Sequence, residues 1–364
     1  MKKIKIGIIG ANPDRGWAQR AHLPALKALP EFELWAVCTT RQETAEASAK
    51  KFGAVQAYDS AEKLVADPDI DAVAVVVRVD KHFEPVMAAL RARKHVLCEW
   101  PLGHSTAEAE KMAELAHAQN VVHQVGLQTR ANVCLQELRR LVQSGFVGQL
   151  RSVTLTSTLT RWGAEISKEM QYGADARVGV NVVNIQGGHS LDAMCFCCGE
   201  FSELSATVAN LRKQTRVVET GEIIPFSSPD QMIVNGILEN GALAVAHFQS
   251  GALHNSGFKM IVRGTDGELV LASDDVVPTG SLSLMGIRRG ETAMKRMEGA
   301  PLGNDAEISS LPQVTASIAA SYRSFAVAVS AGRPSSPNFH DAVTRHRLLD
   351  VIHESSATGR RLHV

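Results

Sequence analysis

The residues of this chain with the most specific chemical signal lie near its start, at positions 7–17, in the run Gly-Ile-Ile-Gly-Ala-Asn-Pro-Asp-Arg-Gly-Trp. An apolar, β-rich run at 4–9 leads into Gly10, and a helical pattern begins after Gly16. That is the context a pyrophosphate-binding turn requires, since backbone N–H groups at the start of a helix bind phosphate oxygens. The turn therefore predicts a dinucleotide site, with an ordinary strand-turn-helix as the alternative.

The spacing of this turn departs from the usual Gly-x-Gly-x-x-Gly. Asn12 stands in place of the central glycine, and one extra residue precedes Gly16. Asn is among the residues that most readily take a positive φ angle, so we expect it to replace glycine in backbone conformation. The residues expected to contact the cofactor here are Gly10, Asn12, Arg15, Gly16 and Trp17.

Cysteines raise the question of a metal site, because thiolates are zinc ligands. The cluster at 195–198, Cys-Phe-Cys-Cys, has no second pair downstream, so the spacing matches no zinc pattern. We expect no metal there, and instead a helix end with buried free thiols. The six cysteines as a set indicate a reducing, cytoplasmic setting.

Composition excludes several classes of function. The chain has 364 residues, enough for two domains with full cores. Lys plus Arg and Asp plus Glu each number 38, so no net field attracts nucleic acid or an anionic membrane surface. No apolar stretch approaches the length of a membrane-spanning helix. We expect the first apolar run to be a strand and not a signal peptide, because Lys5 interrupts it and the glycine turn follows.

The first 127 residues alternate between strand and helix patterns, which positions the glycine turn. Helical patterns cover 17–29 and the residues between a capping box at 40–43 and Gly53, and a second capping box lies at 105–108. Further strands are predicted at 33–38, 72–77, 95–98 and 121–127. The run at 72–77 is apolar on both faces, as a central parallel strand is. This alternation predicts an α/β Rossmann domain over 1–127, a doubly wound parallel sheet with its ligand at the carboxyl ends of the strands.

From residue 128 onward the pattern changes. One amphipathic helix ends at Gly145, and strand patterns follow at 152–159, 231–238, 242–249, 260–264 and 268–271. Hairpin turns are predicted at 240–241 and 266–267, and the tail returns to helix at 315–332 and 338–358. Residues 128–364 are therefore predicted to form a second, α+β domain on a mainly antiparallel sheet.

Four stretches together resemble one family. They are the turn at 7–16, Lys-His-Val-Leu-Cys-Glu-Trp-Pro-Leu at 94–102, Gly-Gly-His-Ser-Leu-Asp at 187–192, and the helical segment at 341–350. The whole chain is similar to the glucose-fructose oxidoreductase and inositol dehydrogenase (Gfo/Idh/MocA) family. The resemblance implies a C-terminal open-faced sheet through which the protein forms a homodimer or homotetramer. It also implies hydride transfer between a nicotinamide cofactor and a sugar or polyol.

Two positions depart from the family's catalytic pattern. The family places Lys after the Glu of a Glu-Lys-Pro motif and Asp four residues before the His of the second domain, whereas this chain has Trp100 and Ile185. Indole is only a donor and cannot accept a proton. His189 remains, and imidazole with an ordinary pKa of about 6.5 suits proton transfer near neutrality. We expect His189 to be the base and Asp192, one turn along, to orient it; the alternative is that His189 only hydrogen-bonds substrate or chain.

The end of the second strand bears on cofactor choice. A carboxylate there would bind the ribose 2′-hydroxyl of NAD, whereas an Arg suits the 2′-phosphate of NADP. The run at 38–41 is Cys-Thr-Thr-Arg, with no carboxylate before Glu43. We therefore expect NADP, with NAD also possible, bound through Thr39, Thr40 and Arg41; the alternative is that Thr40 only caps a helix and Arg41 is solvated.

The resemblance also implies positions for the rest of the site. Glu99 and Pro101 correspond to residues that shape the nicotinamide pocket, and Trp100 either stacks on sugar or nicotinamide or fills space as an aromatic plug. Beyond Trp100, the expected substrate contacts are Gln128, Arg130 and His189, whereas His82 is expected to be structural.

Two classes of function follow. The first is an NAD(P)-dependent oxidoreductase acting on a sugar, sugar derivative or polyol. The second is a catalytically silent dinucleotide sensor. The turn at 7–16 with its altered spacing, together with Trp100 and Ile185, also resembles the fungal galactose-pathway co-repressor branch of the family. The surviving His189 favours the enzyme, since the fold itself does not choose.

Overall fold

A computed structural model of the chain describes residues 2–276, 281–299, 308 and 310–364. Its backbone divides into two compact units, Met1–Gln128 with Gly303–Thr344, and Thr129–Leu302 with Arg345–Val364. The predicted boundary between residues 127 and 128 lies next to the first of these divisions. The segment 303–344, however, groups with the first unit. The sequence analysis placed only one boundary, after residue 127, and therefore put this segment in the second domain.

The first unit is built on a six-stranded sheet in which every paired strand is parallel, in the order β3-β2-β1-β4-β5-β6. Its strands are β1 (Ile4–Ile9), β2 (Phe32–Cys38), β3 (Gln56–Tyr58), β4 (Ala72–Val75), β5 (His95–Glu99) and β6 (His123–Gly126). Its connecting helices are α1 (Leu23–Lys27), α2 (Gln42–Phe52), α3 (Ala61–Ala66), α4 (Phe83–Arg91) and α5 (Thr106–Ala118). The predicted Rossmann sheet is confirmed.

Burial explains why these runs form central strands. All four residues of β4 are fully buried, and Ile6 and Ile8 of β1 are fully buried beside them. A strand covered on both faces by helices requires such an unbroken apolar run. The order of the strands reverses between β1 and β4, so the glycine turn after β1 lies at the switch point, where this class of fold binds ligands.

The second unit is built on a nine-stranded, mainly antiparallel sheet, in the order β17-β16-β15-β14-β7-β13-β12-β9-β18, with a three-stranded sheet beside it in the order β11-β10-β8. The strands are β7 (Leu150–Thr158), β8 (Glu165–Ile166), β9 (Phe201–Ala209), β10 (Gln214–Val217), β11 (Ile223–Pro225), β12 (Gln231–Leu238), β13 (Leu243–Gln249), β14 (Phe258–Gly264), β15 (Gly267–Ser273), β16 (Ser283–Arg288), β17 (Lys295–Arg296) and β18 (Leu362–His363). Its helices are α6 (Val133–Gln143) and α7 (Gly188–Cys198). The predicted α+β class of the second domain is confirmed.

Two long helices follow late in the chain, α8 (Gln313–Ala331) and α9 (Phe339–Thr358). Tyr322 and Phe325 of α8 are fully buried in the same core as Ile6 and Ile8. The amide nitrogen of Gln124 in β6 also donates to the Ser321 carbonyl of α8 at 2.9 Å. These contacts are the physical reason why α8 belongs to the first unit.

The predictions of helix caps and hairpin turns were only partly correct. The box at 105–108 caps α5 as predicted, since the Ser105 hydroxyl accepts the Glu108 N–H at 3.3 Å. The box at 40–43 was wrong, because α2 begins at Gln42 with Arg41 as its N-cap and no side-chain cap. Both predicted hairpins are present, joining β12 to β13 and β14 to β15 in antiparallel register. None of the described helices has the length and apolar character needed to cross a bilayer.

Candidate active site

The glycine turn after β1 is shaped by one glycine that nothing else could replace. Gly10 has φ of 98°, and a Cβ placed on it would lie 2.3 Å from the Val76 carbonyl oxygen. Gly16 has φ of 93°, and no atom within 4 Å would meet its Cβ. Gly10 is therefore required both by conformation and by close backbone approach, and Gly16 by conformation alone.

Asn12 does not replace glycine in the way its residue type predicts. The described non-glycine residues with positive φ are Arg93, Asn120 and Trp162, so that expectation for Asn12 was wrong. Its side-chain oxygen instead accepts the N–H groups of Asp14 at 2.9 Å and Arg15 at 3.2 Å. This is an Asx turn, in which a side chain holds the loop that a central glycine usually shapes.

Lys51 of α2 contributes to the turn from a distance in sequence. Its ammonium donates to the Pro13 carbonyl at 2.6 Å and lies 4.0 Å from an oxygen of Asp14. The contact fixes the extra residue of the loop and brings a positive charge to it. Nothing in the local pattern points to Lys51, because 38 residues separate it from its partner.

The end of β2 carries an exposed arginine, Arg41. The Thr39 hydroxyl is used within the chain, where it bonds the Arg41 carbonyl at 2.9 Å and contacts the Thr44 hydroxyl. Thr40 and Arg41 are both exposed. The arrangement presents the Arg41 guanidinium to solvent beside the carboxyl end of β2.

The segment 99–101 follows β5 directly. Trp100 is only 5% exposed, and its peptide bond to Pro101 is cis. His82 is 1% exposed, with its Nδ1 2.8 Å from the Pro101 carbonyl and its Nε2 3.0 Å from the Val77 carbonyl. Burial lowers the pKa of His82. The neutral imidazole has one N–H, so it donates to one of these two carbonyls and only contacts the other. His82 thus lies between the Trp100–Pro101 segment and the end of the neighbouring strand, and this burial supports its expected structural role.

His189 lies in the first turn of α7 and is 5% exposed. A π-helical segment, Val182–Gly187, leads into this helix, and the Asn181 side chain caps it by accepting the N–H groups of Val183 and Asn184. Such π-helical turns are frequent at functional sites. Ile185, which stands at the family's Asp position, packs with an apolar cluster that includes Trp162. The chain has thus replaced a charge by apolar packing one turn before His189.

Asp192 is held by arginines. Arg130 donates to both of its oxygens, at 2.9 and 2.7 Å, and Arg345 lies 3.5 Å from one of them. Arg345 is fully buried and also pairs with Glu200 at 2.8 Å. This buried network explains the position of Arg130, whose guanidinium also lies 4.9 Å from the ring centroid of Phe196. The predicted orientation of His189 by Asp192 and the predicted substrate contact of Arg130 stay predictions. Asp192 and Arg130 already pair with each other, which gives both side chains a structural role.

Gln128 is 2% exposed, and its side-chain oxygen has no hydrogen-bond partner among the residues that the structure describes. Within the same described part of the chain, the Trp17 indole N–H is likewise buried without a partner. Buried polar atoms of native proteins are nearly always paired. These two groups therefore fit a polar ligand of the first unit, one as an acceptor and the other as a donor.

Five of the six cysteines are buried, and Cys134 is partly buried. All six are free, and burial raises the pKa of Cys195 and Cys197 and raises that of Cys198 to about 12. A thiol with a raised pKa is a poor nucleophile and a poor metal ligand. Among the residues that the structure describes, no group of three or more His, Cys, Asp or Glu side chains could hold a metal ion.

Comparison with known proteins matches two successive parts of the chain to two families. Residues 4–127 match the Gfo/Idh/MocA oxidoreductase family with an NAD-binding Rossmann fold, and residues 134–273 match the C-terminal domain of Gal80p. Dehydrogenase aclE of Aspergillus oryzae is 30% identical, over 74% of this chain and 76% of that protein. The galactose/lactose metabolism regulatory protein GAL80 of Saccharomyces cerevisiae is 25% identical, over 99% of this chain and 94% of that protein.

Solved structures share the fold across the whole chain. Levoglucosan dehydrogenase in complex with NADH and L-sorbose superposes with a TM-score of 0.87 and 22% identity, covering 100% of this chain and 99% of that one. A super-repressor mutant of Gal80p from Saccharomyces cerevisiae superposes with a TM-score of 0.89 and 23% identity, covering 100% and 98%.

Proposed function

The chain belongs to the Gfo/Idh/MocA oxidoreductase family, and from that membership we propose that it is an NAD(P)-dependent oxidoreductase acting on a CH–OH group of a sugar, sugar derivative or polyol. The observation that carries the proposal is the glycine turn at the switch point of the sheet. Gly10 lets the turn pass close to the Val76 carbonyl, from which a Cβ at this position would lie only 2.3 Å, and Asn12 and Lys51 hold the rest of the loop. Levoglucosan dehydrogenase, a relative 23% identical over 74% of this chain, indicates the class of substrate.

The residues of the first unit fit a dinucleotide. The turn from Gly10 to Gly16 would take the pyrophosphate on backbone N–H groups, with Arg15 exposed beside it. The unpartnered indole N–H of Trp17 would donate to the same ligand. Glu99, Trp100 and Pro101 would border the nicotinamide ring, which when bound accepts or supplies the hydride.

We assign NADP as the preferred form, with NAD accepted. Arg41 is exposed at the end of β2, where the 2′-phosphate of NADP would lie. Thr39 and Thr40 flank it, and no carboxylate precedes Glu43 to bind a 2′-hydroxyl. A guanidinium is well suited to a phosphate because it offers paired donors.

His189 is the proposed base. Oxidation of an alcohol requires a group that takes the hydroxyl proton as hydride leaves the carbon. Trp100 cannot take it, because indole is only a donor, and Ile185 has no polar atom. Imidazole can hold that proton near neutral pH. Trp100 and Gln128 would contact the sugar, Trp100 through stacking on an apolar sugar face and Gln128 through its unpartnered oxygen.

A regulator without turnover is the second candidate, and a specific observation favours it. The family's Lys and Asp are replaced by Trp100 and Ile185, both of which pack as apolar residues. The C-terminal unit also matches the corresponding domain of Gal80p. In this alternative the turn binds the dinucleotide as a signal, and no hydride is transferred.

One experiment separates the two candidates. Purified protein is titrated with NADPH and NADH and is assayed for turnover on a panel of sugars and polyols with both oxidised cofactors. Turnover that His189→Ala and His189→Asn abolish supports the enzyme, whereas activity within a few-fold of wild type removes His189 from the base role. Tight cofactor binding with no turnover favours the regulator, and no binding of either cofactor contradicts both candidates.

A further inference from the structure

A buried histidine, His22, contacts Glu99, the last residue of β5. His22 closes the π-helical turn Ala18–His22 that follows the glycine turn, and it is fully buried. Its Nε2 lies 3.2 Å from Glu99 Oε1, and its Nδ1 lies 2.8 Å from the hydroxyl of Tyr322 in α8. Three distant elements of the first unit thus meet at one imidazole.

The chemistry of the partners fixes the proton positions. A carboxylate only accepts hydrogen bonds, so the N–H of a neutral His22 faces Glu99 from Nε2. Nδ1 is then the acceptor, and the Tyr322 hydroxyl donates to it. Burial, together with the charge of Glu99, raises the pKa of Tyr322, so this hydroxyl keeps its proton. Tyr322 therefore selects the tautomer of His22 that presents a donor to Glu99.

The N–H of His22 points toward Glu99 without the alignment of a hydrogen bond. The two atoms are 3.2 Å apart, and among the residues that the structure describes neither atom has another partner. A Cβ on Gly126 would lie 2.5 Å from the same carboxylate oxygen. Glu99 Oε1 therefore occupies a slot between His22 and Gly126. The Glu99 side chain as a whole is 12% exposed, so the carboxylate keeps some surface that a ligand can reach.

We propose that His22 is a positioning residue for the nicotinamide end of the cofactor. It holds Glu99 Oε1 in the slot beside Gly126, so that the part of the carboxylate that stays exposed can accept from the primary amide of the nicotinamide. Tyr322 fixes His22 from behind. This inference rests on the proposed function, since it requires that the Rossmann unit bind a nicotinamide cofactor.

A comparison of two ligands tests the proposal by calorimetric titration. NADPH carries the nicotinamide, whereas 2′-phospho-ADP-ribose is the same molecule without that ring; NADH and ADP-ribose form the equivalent pair. His22→Ala is expected to weaken binding of the reduced cofactor by about tenfold or more. This is the effect of losing one charge-assisted hydrogen bond, the one from the nicotinamide amide to Glu99. Binding of the truncated ligand should stay within about twofold of wild type.

Two further variants keep the test decisive if His22→Ala folds poorly. His22→Gln retains a donor toward Glu99 and an acceptor toward Tyr322, and should recover most of the lost affinity. Tyr322→Phe should give a smaller loss that is again confined to the reduced cofactor. The matched control is Tyr58→Phe, which removes a hydroxyl that donates to Asp67 at 3.0 Å elsewhere in the same unit and should leave both ligands unaffected.

Equal weakening of both ligands would show that His22 only supports the fold, and unchanged binding of both would show no role; either result overturns the inference alone. Wild-type protein that binds neither ligand would instead overturn the proposed function, and the inference with it.

Discussion

Gly10 is the residue of the glycine turn that tolerates least change. Its φ of 98° and the 2.3 Å approach of a Cβ to the Val76 carbonyl are separate obstacles to any side chain. Gly16 has a similar φ of 93° but open space around it. The two positions therefore separate conformational strain from steric clash within one loop.

We expect Gly16→Ala to lower the free energy of unfolding by about 1–2 kcal/mol, the cost of a left-handed conformation for an L-residue. Gly10→Ala should cost roughly 2–5 kcal/mol, because a clash with backbone adds to that strain. Urea denaturation of the two variants beside wild type measures both values. Equal losses would contradict the assignment of Gly10 to the close approach.

Arg41 gives a second prediction at the scale of a residue. Arg41→Ala should weaken NADPH binding by about tenfold or more, since a charge-assisted contact to the 2′-phosphate is lost. NADH binding should change by less than about twofold, because NADH has no such phosphate. Fluorescence titration with both cofactors checks the difference. Arg177→Ala, whose guanidinium is exposed in the second unit, is the matched control. Comparable affinities for the two cofactors, unchanged by the substitution, would refute the preference for NADP.

At the scale of the element, α7 carries a proposed catalytic residue and a structural one a turn apart. His189 is the proposed base, while Asp192 is 1% exposed and balances the charges of Arg130 and Arg345. Removal of one member of a buried charge network leaves the others uncompensated. We therefore expect substitution of Asp192 to lower stability and substitution of His189 to lower turnover.

Asp192→Ala should lower the free energy of unfolding by about 3–5 kcal/mol, because Arg130 and Arg345 remain buried with less opposite charge. His189→Asn should remove turnover with little loss of stability. Asp175→Ala is the control, since its pair with Arg177 is exposed and is worth about 0–1 kcal/mol. Chemical denaturation of the three variants measures the effect, and a stable Asp192→Ala protein would contradict the structural role.

The start of α9 predicts a dependence of stability on pH. His123 Nδ1 accepts the Phe339 N–H at 3.1 Å, and burial, with the nearby His340 and His117, lowers the pKa of His123 from 6.5 to about 4; Asp341 opposes this shift. The neutral form is thus favoured in the folded state, and the stability it contributes is present above pH 6.5. That stability falls as the pH drops through about 4, by on the order of 3 kcal/mol in total.

Denaturation curves between pH 7 and pH 4 measure this loss. His123→Asn keeps an acceptor for the Phe339 N–H without a titrating group, so its stability should fall less steeply over the same range. A variant with the same pH profile as wild type would show that other groups control the acid sensitivity.

The elements also show where sequence patterns stop being informative. Strands with clear signals, such as β4 with its unbroken apolar run and β12 with its alternation, were predicted within two residues. β9 was not predicted, because partly exposed Ser, Glu and Thr along Phe201–Ala209 blur the alternation. The contacts of Arg345 with Asp192 and of His22 with Tyr322 join residues far apart in sequence. No local pattern encodes such pairs, so the motifs predicted candidate site residues, whereas the contacts that support those residues are visible only in the structure.

At the scale of the whole molecule, one face of the nine-stranded sheet carries exposed apolar side chains among the residues that the structure describes. Alternate residues of β13 point outward, where Leu243 is 60% exposed and Val245 is 40% exposed, and Ile233 of β12 is 43% exposed on the same face. The register pairs Val245 with Asn235 on one side and Thr154 on the other. Clustered apolar residues on a sheet face that is otherwise polar are typical of a protein–protein interface.

We therefore expect wild-type protein to be a homodimer or homotetramer through this face, and Val245→Lys to dissociate it. A Lys in an interface of this kind buries a charge without a partner, which costs several kcal/mol for each copy. Size-exclusion chromatography with light scattering measures the mass, and circular dichroism checks that the fold is retained. Leu253→Lys is the control, because Leu253 is fully exposed in the loop between β13 and β14 and should leave the mass unchanged. A monomeric wild type, or a Val245→Lys variant of unchanged mass, would require that the open face serve a different partner.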